Sequence, residues 1–143
     1  SDCAPLGGLV AALLDACPGH VRCLRDPTRG GLAATLNEWA AGAGLGMAID
    51  EAAVPVRPEV RAACEMLGLD PLHAACEGRL VAAVAPGAAE RALGALRGHP
   101  LGAGAQIIGE VTAEHPGRVV LRTALGARRL LEMPAGDLLS RIC

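Results

Sequence analysis

The sequence predicts an α/β (α+β) sandwich in which a mixed sheet is covered by about four helices. Three observations carry this. Apolar residues recur at helical spacing in four separate stretches, short extended runs stand between them, and the last third holds three further extended runs separated by Pro-Gly or Gly turns. At 143 residues with 52% apolar side chains, the chain has the length of one domain and the material for a core.

Taken in order, Leu6, Leu9, Val10, Leu13 and Leu14 give a first helix that opens at Pro5 and stops at Pro18 and Gly19. Residues 21–25 alternate apolar and charged as a strand with one buried face does. Asp26-Pro27-Thr28-Arg29-Gly30-Gly31 then turns into a second helix over 32–41, which Gly42, Gly44 and Gly46 end, and Met47-Ala48-Ile49 reads as a strand. Pro58 starts a third helix with an apolar face of Val60, Ala63, Cys64 and Leu67, closed by Gly68. Residues 80–84 form a strand apolar enough to be buried on both faces. Pro86 begins a fourth helix over 88–96. Extended runs follow at 105–111, 118–123 and 128–133, and Pro116-Gly117 and Gly126 suit hairpin connections between them. Residues 1–133 are thus predicted as the domain. Pro134, Ala135, Gly136 and Asp137 open a flexible tail over 134–143, whose ten residues reach about 33 Å if extended.

Composition excludes several function classes. The formal charge is -2, Tyr and Phe are absent and Trp39 stands alone, so neither a basic patch nor a stacking set for nucleic acid is present. Mean hydropathy is +0.37, yet no apolar run reaches the length of a membrane span. All 13 basic residues are Arg, which removes a P-loop or Schiff-base lysine. The six cysteines form no Cys-x-x-Cys pair and mostly lie in apolar periodic segments, as small buried hydrophobes do, which fits a reduced, cytoplasmic protein. Cys17, His20 and Cys23 lack zinc-motif spacing and His73, His99 and His115 share no helical spacing, so no metal site is assigned. The absence of an initiator Met and of a signal pattern fits an excised or processed fragment rather than a secreted precursor.

Three places carry candidate chemistry. The strand, Gly-rich turn and helix around residues 26–31 leave the first helical N–H groups aimed outward with the positive dipole end behind them, which suits an anion. Arg29 can fork onto phosphate oxygens, Thr28 can cap or offer a hydroxyl, and Gly30 and Gly31 permit close approach. The plainer alternative is a capped helix after a tight turn, with Arg29 paired to Asp26 and with Asn37 and Glu38 on a solvated face. Glu77, at the mouth of the 80–84 strand between apolar neighbours, is either a general base or a surface turn carboxylate. Cys143, the last residue, is either a carrier thiol on a short tether or an idle one. Its own α-carboxylate disfavours the thiolate, so it needs help to ionise.

Read together, Ser1-Asp2-Cys3-Ala4-Pro5-Leu6, Arg25-Asp26-Pro27-Thr28-Arg29-Gly30-Gly31-Leu32-Ala33, Leu36-Asn37-Glu38, Leu67-Gly68-Leu69-Asp70-Pro71-Leu72, Glu77-Gly78, Ile107-Ile108-Gly109 and Arg141-Ile142-Cys143 resemble the C-terminal domain of the HypE family of hydrogenase maturation proteins. The resemblance covers essentially the whole chain with its motifs in order. The wider superfamily, with aminoimidazole ribonucleotide synthetase and selenophosphate synthetase, looks similar in architecture, and the terminal cysteine separates HypE from those siblings. Two positions depart from the family pattern: Ser140 stands where Pro precedes Arg-Ile-Cys, and Cys76 stands where Asn precedes the glutamate.

The resemblance implies a function in [NiFe]-hydrogenase maturation as part of an ATP-dependent carbamoyl dehydratase, a lyase that makes cyanide ligands for the active-site iron. It implies that Cys143 carries carbamoyl and then cyano as a thiocyanate, that Glu77 is the base, and that Asp26, Thr28, Arg29, Gly30 and Gly31 lie towards the ATP phosphates with Asn37 and Glu38 in support. It further implies ATP with Mg2+, held mostly by an N-terminal domain absent from this chain. Its implied partners are the carbamoyltransferase HypF, the HypC-HypD iron scaffold, and a second copy in a full-length homodimer. The isolated fragment is then expected to be inactive. Two alternatives are a non-catalytic docking module whose tail partners recognise, and a sibling synthetase domain that binds phosphate.

Overall fold

A computed structural model describes residues 3–133. In chain order its helices and strands are α1 (Gly7–Ala16), β1 (Val21–Arg25), α2 (Gly31–Ala43), β2 (Gly46–Asp50) and α3 (Pro58–Leu67). Then come β3 (Val81–Val84), α4 (Ala89–Arg97), β4 (Gly109–Thr112), β5 (Val119–Arg122) and β6 (Arg128–Leu130), with short 3-10 turns at Glu51–Ala53, Pro71–His73, Pro86–Ala88 and Pro100–Gly102. Helix and strand alternate as the periodicity predicts, and the mixed sheet and four helices are present. The described residues gather into two compact units, residues 3–27 with Cys76–Ile107, and Thr28–Ala75 with residues 108–133.

In the first unit β1 and β3 pair antiparallel, Arg25 opposite Val81 and Val21 opposite Val84. Leu13, Cys17, Ala88 and Ala92 form the buried centre, with Val21, Leu24, Ala82, Val84 and Leu96 packed on it, so α1 and α4 cover this ribbon. The predicted alternation of β1 is broken. A register shift between Val21 and Cys23 turns the Cys23 side outward, so Cys23 is exposed. Cys3 is exposed as well, and of the described cysteines Cys17 alone is the buried hydrophobe that composition suggested. β3 is half-buried throughout rather than buried on both faces, because β1 is its one partner in a two-stranded sheet.

The second unit holds a four-stranded sheet of order β4-β2-β5-β6. β2 runs antiparallel to β4 and parallel to β5, and β5 runs antiparallel to β6. Met47 and Ile49 of β2 and Val119 and Leu121 of β5 are buried, as are Ala33, Ala34, Leu36 and Ala40 of α2, the helix that packs on these strands. Gly126 does turn a hairpin between β5 and β6, but Pro116 and Gly117 do not join paired strands, since β2 lies between β4 and β5. The link instead wraps the start of β2. Gly117 N–H donates to Leu45 O at 3.0 Å, Met47 N–H donates to Arg118 O at 3.0 Å, and the carbonyl of Glu114 fills the space a side chain at Gly46 would need.

The third helix also differs from expectation. Pro58 at its first turn and left-handed Gly68 at its end bound it as predicted. Its apolar face, however, is not a core face: Val60 is 42% exposed, Leu67 71% and Met66 87%.

Candidate functional site

The run from Asp26 to Gly31 begins in the first unit and ends in the second, and each half has its own anchorage. Asp26 is exposed and Pro27 buried. The carbonyl of Pro27 accepts the backbone N–H of Cys76 at 2.9 Å, which sets the residue before Glu77 beside the start of the run. Glu77 itself is half-buried, four residues before β3.

In the second unit Thr28 O accepts from Gly31 N at 3.1 Å, closing a tight turn in which Gly30 (φ 71°) and Gly31 (φ 62°) are both left-handed. A β-carbon is disfavoured there at any site. At Gly31 it would also lie 2.5 Å from the carbonyl oxygen of Ala74 and 2.7 Å from that of Leu72, so the glycine lets the start of α2 lie directly on the Leu72-His73-Ala74 backbone. Thr35 Oγ1 donates to Gly31 O at 3.2 Å and braces the turn from inside α2.

Gly30 is the N-cap of α2 and contributes no side-chain cap, so the capping role weighed for Thr28 is not taken up. Among the described residues no ion pair joins Arg29 to Asp26, and the Arg29 side chain is exposed. Of the plainer alternative, the tight turn and an exposed Glu38 are found, and the charge pair is not found among the described residues. What remains is a helix start without a side-chain cap, with the positive dipole end and the exposed Arg29 guanidinium beside it, while the Gly31 N–H is taken by Thr28 O and that of Ala34 by Gly30 O.

Asn37 and Glu38 lie two turns further along α2. Glu38 is exposed and Asn37 half-buried. Asn37 Nδ2 donates to Ala33 O and to Leu131 O, both at 2.9 Å, so its amide ties α2 to the chain just past β6. A cavity of about 360 Å3 in this unit is lined by residues such as Glu51, Arg61 and Asp70, and none of the sequence-predicted site residues lines it. Among the described residues no group of three His, Cys, Asp or Glu converges to hold a metal ion. Cys143 lies outside the described residues. Sequence reading weighed His73 only as a metal ligand; its ring nitrogen meets Glu132 O at 3.3 Å, and no motif or spacing signals that contact.

The sequence matches the family described as AIR synthase related protein, C-terminal domain, over residues 1–122. The chain belongs to that family. Within it, the chain is the C-terminal domain of HypE type: it is 54% identical over 143 residues to the carbamoyl dehydratase HypE of Rhodobacter capsulatus and 51% identical to that of Escherichia coli K12, in each case across 100% of this chain. It spans 42% and 41% of those relatives, about two fifths of their length. A crystal structure of the hydrogenase maturation protein HypE superposes over the whole chain with TM-score 0.91 at 47% identity, covering 46% of that protein. HypE in complex with ATP matches at TM-score 0.88 and 46% identity over 96% of this chain and 43% of that one. A HypE-HypF complex matches at TM-score 0.88 and 41% identity over 94% of this chain and 43% of that one. The AIR synthase-like α+β fold expected of a HypE-type domain is thus the fold found. No helix among the described residues is long and apolar enough to cross a membrane.

Proposed function

We propose that this HypE-type domain forms part of an ATP-dependent carbamoyl dehydratase, a lyase serving [NiFe]-hydrogenase maturation, in which Cys143 carries a carbamoyl and then a cyano group. The observation that most supports this reading is the start of α2, which has no side-chain cap and lies beside an Arg29 in no ion pair among the described residues, in a chain whose HypE relatives include one solved with ATP.

In the proposed sequence, the Cys143 sulfur receives a carbamoyl group from the carbamoyltransferase HypF. Glu77 then accepts an N–H proton from that carbamoyl as the C–O bonding gives way and C≡N forms. Both amide protons are lost and the oxygen leaves on the departing phosphate, so the net change in the carbamoyl group is loss of the elements of water, the carbon keeps its oxidation state, and S–C≡N remains. ATP, when bound, supplies the phosphoryl group that makes the carbamoyl oxygen a good leaving group. Thr28, Arg29 and Gly30 hold phosphate oxygens through backbone N–H groups and the guanidinium, Gly31 shapes the turn that presents them, and Asp26, Asn37 and Glu38 support the loop and α2. Mg2+ comes with the N-terminal domain that completes the nucleotide site, and the HypC-HypD complex receives the cyano group. Full-length protein is proposed to pair as a homodimer.

Mass spectrometry of the C-terminal peptide tests this, after full-length protein is incubated with the carbamoyltransferase, carbamoyl phosphate and ATP. The expected result is a carbamoyl and then a cyano adduct on Cys143, none in Cys143→Ser, and a stalled carbamoyl adduct in Glu77→Gln. A Cys143→Ser protein that still supports hydrogenase maturation would make the tail a docking peptide instead.

A further inference from the structure

The chain does not simply run off the edge of the sheet after β6. At Leu131 and Glu132 it is gripped from three elements at once. Leu131 N–H donates to Val119 O of β5 at 2.9 Å, and the Leu131 side chain is 1% exposed. The Leu131 carbonyl accepts from Asn37 of α2 at 2.9 Å. The next carbonyl, that of Glu132, faces the ring Nε2 of His73 in the Pro71–His73 turn at 3.3 Å. A carbonyl can only accept, so Nε2 carries the proton in this contact, and Asn37 must present its NH2 because both of its partners are carbonyls.

Burying Leu131 and pairing its N–H would already end the sheet. Two side-chain donors on successive carbonyls do something more: they fix the backbone at Leu131 and Glu132, just before the last described residue, Met133. Both donors also belong to the surroundings of the glycine turn. Asn37 lies six residues, about 9 Å of helix rise, from Gly31. His73 belongs to the three-residue stretch on which Gly31 packs. The same two elements therefore hold the candidate phosphate turn and the root of the tail.

Resting on the carrier role proposed for Cys143, we propose that Asn37 and His73 are positioning residues that clamp the tail root and so aim the terminal thiol. Loosening the backbone at Leu131 and Glu132 misplaces the root from which the thiol is carried, and the expected fall in rate for the attached thiol is about 2- to 10-fold.

The test uses a full-length HypE carrying this domain. ATP-dependent thiocyanate formation is measured in single turnover on its own carbamoylated tail. It is measured separately on a synthetic peptide of residues 134–143, carbamoylated at its cysteine, added to protein truncated after Met133. His73→Ala is expected to slow the attached tail about 2- to 10-fold and leave the peptide rate unchanged. His73→Gln, which keeps an N–H donor, restores the attached rate to within about 2-fold. Hydrogen exchange of the Leu131 amide is expected to quicken in both Asn37→Leu and His73→Ala. Equal slowing of tail and peptide, or quickened exchange with no change in the attached rate, overturns the clamp. A wild-type protein that makes no thiocyanate from either substrate overturns the carrier reading itself.

Discussion

Asp70 and Arg129, 59 residues apart in the sequence, meet at 2.9 Å between Oδ2 and Nη2, while the other carboxylate oxygen of Asp70 accepts the backbone N–H of Leu72 at 2.9 Å. One side chain thus caps the Pro71–His73 turn and ties it to β6. The two roles differ in worth. The ion pair is partly solvated, with Arg129 44% and Asp70 28% exposed, and such pairs contribute about 0.2–1 kcal/mol. The capping bond adds about 1 kcal/mol. Arg129→Met is therefore expected to cost about 0.5 kcal/mol and Asp70→Ala about 1–2 kcal/mol in urea unfolding. Equal costs would mean that the cap contributes nothing.

Two left-handed glycines separate backbone strain from crowding. Gly44 (φ 64°) has open space where a β-carbon would go, whereas Gly31 (φ 62°) faces the Leu72 and Ala74 carbonyls. Gly44→Ala is expected to cost about 1 kcal/mol, the left-handed penalty alone. Gly31→Ala adds overpacking of about 1–3 kcal/mol and moves the start of α2. Denaturant midpoints read the difference, and similar midpoints for the two variants would refute the close approach at Gly31.

Apolar character does not by itself predict the cost of truncation here. Leu121 is fully buried in β5, and Leu121→Ala should lose about 3 kcal/mol through lost transfer energy and the cavity left behind. Met66 is 87% exposed on α3, so Met66→Ala should change stability by less than about 0.5 kcal/mol. Thermal unfolding of the two variants decides this directly.

Arg29 has no ion-pair partner among the described residues, so its removal should leave the fold intact and report on the anion alone. Charge-assisted hydrogen bonds to phosphate are worth roughly 1.5–3 kcal/mol, less where solvent competes. In full-length protein, Arg29→Ala is expected to weaken ATP binding about 10-fold in calorimetry, with unchanged thermal unfolding of the apoprotein. Unaltered ATP affinity removes Arg29 from the phosphate site.

Much of the secondary structure was legible in residues close together in sequence. Pro58 and Gly68 bracket α3, Gly30 and Gly31 announce the turn into α2, and Gly126 marks the β5-β6 hairpin. The same local logic failed at Pro116-Gly117, because a turn signal says that the chain bends and not which strand waits on the far side. It failed for α3, whose apolar spacing is sound while its face meets no core. At the candidate site, the residue types at 26–31 suggested an anion, but they could not show that Arg29 is in no ion pair among the described residues or that the cap is a bare glycine.

Residue order alone located most helices and strands and supplied the motifs that place the chain among HypE-type domains. Those are set by periodicity, glycine and proline, whose effects act over a few neighbouring residues. The sheet order, the burial of Gly31 against Leu72 and Ala74, and the grip of Asn37 on Leu131 were decided by tertiary structure. Asn37 and Leu131 are 94 residues apart, and a hydrogen bond over that separation exists only once packing brings α2 and the end of β6 within 2.9 Å.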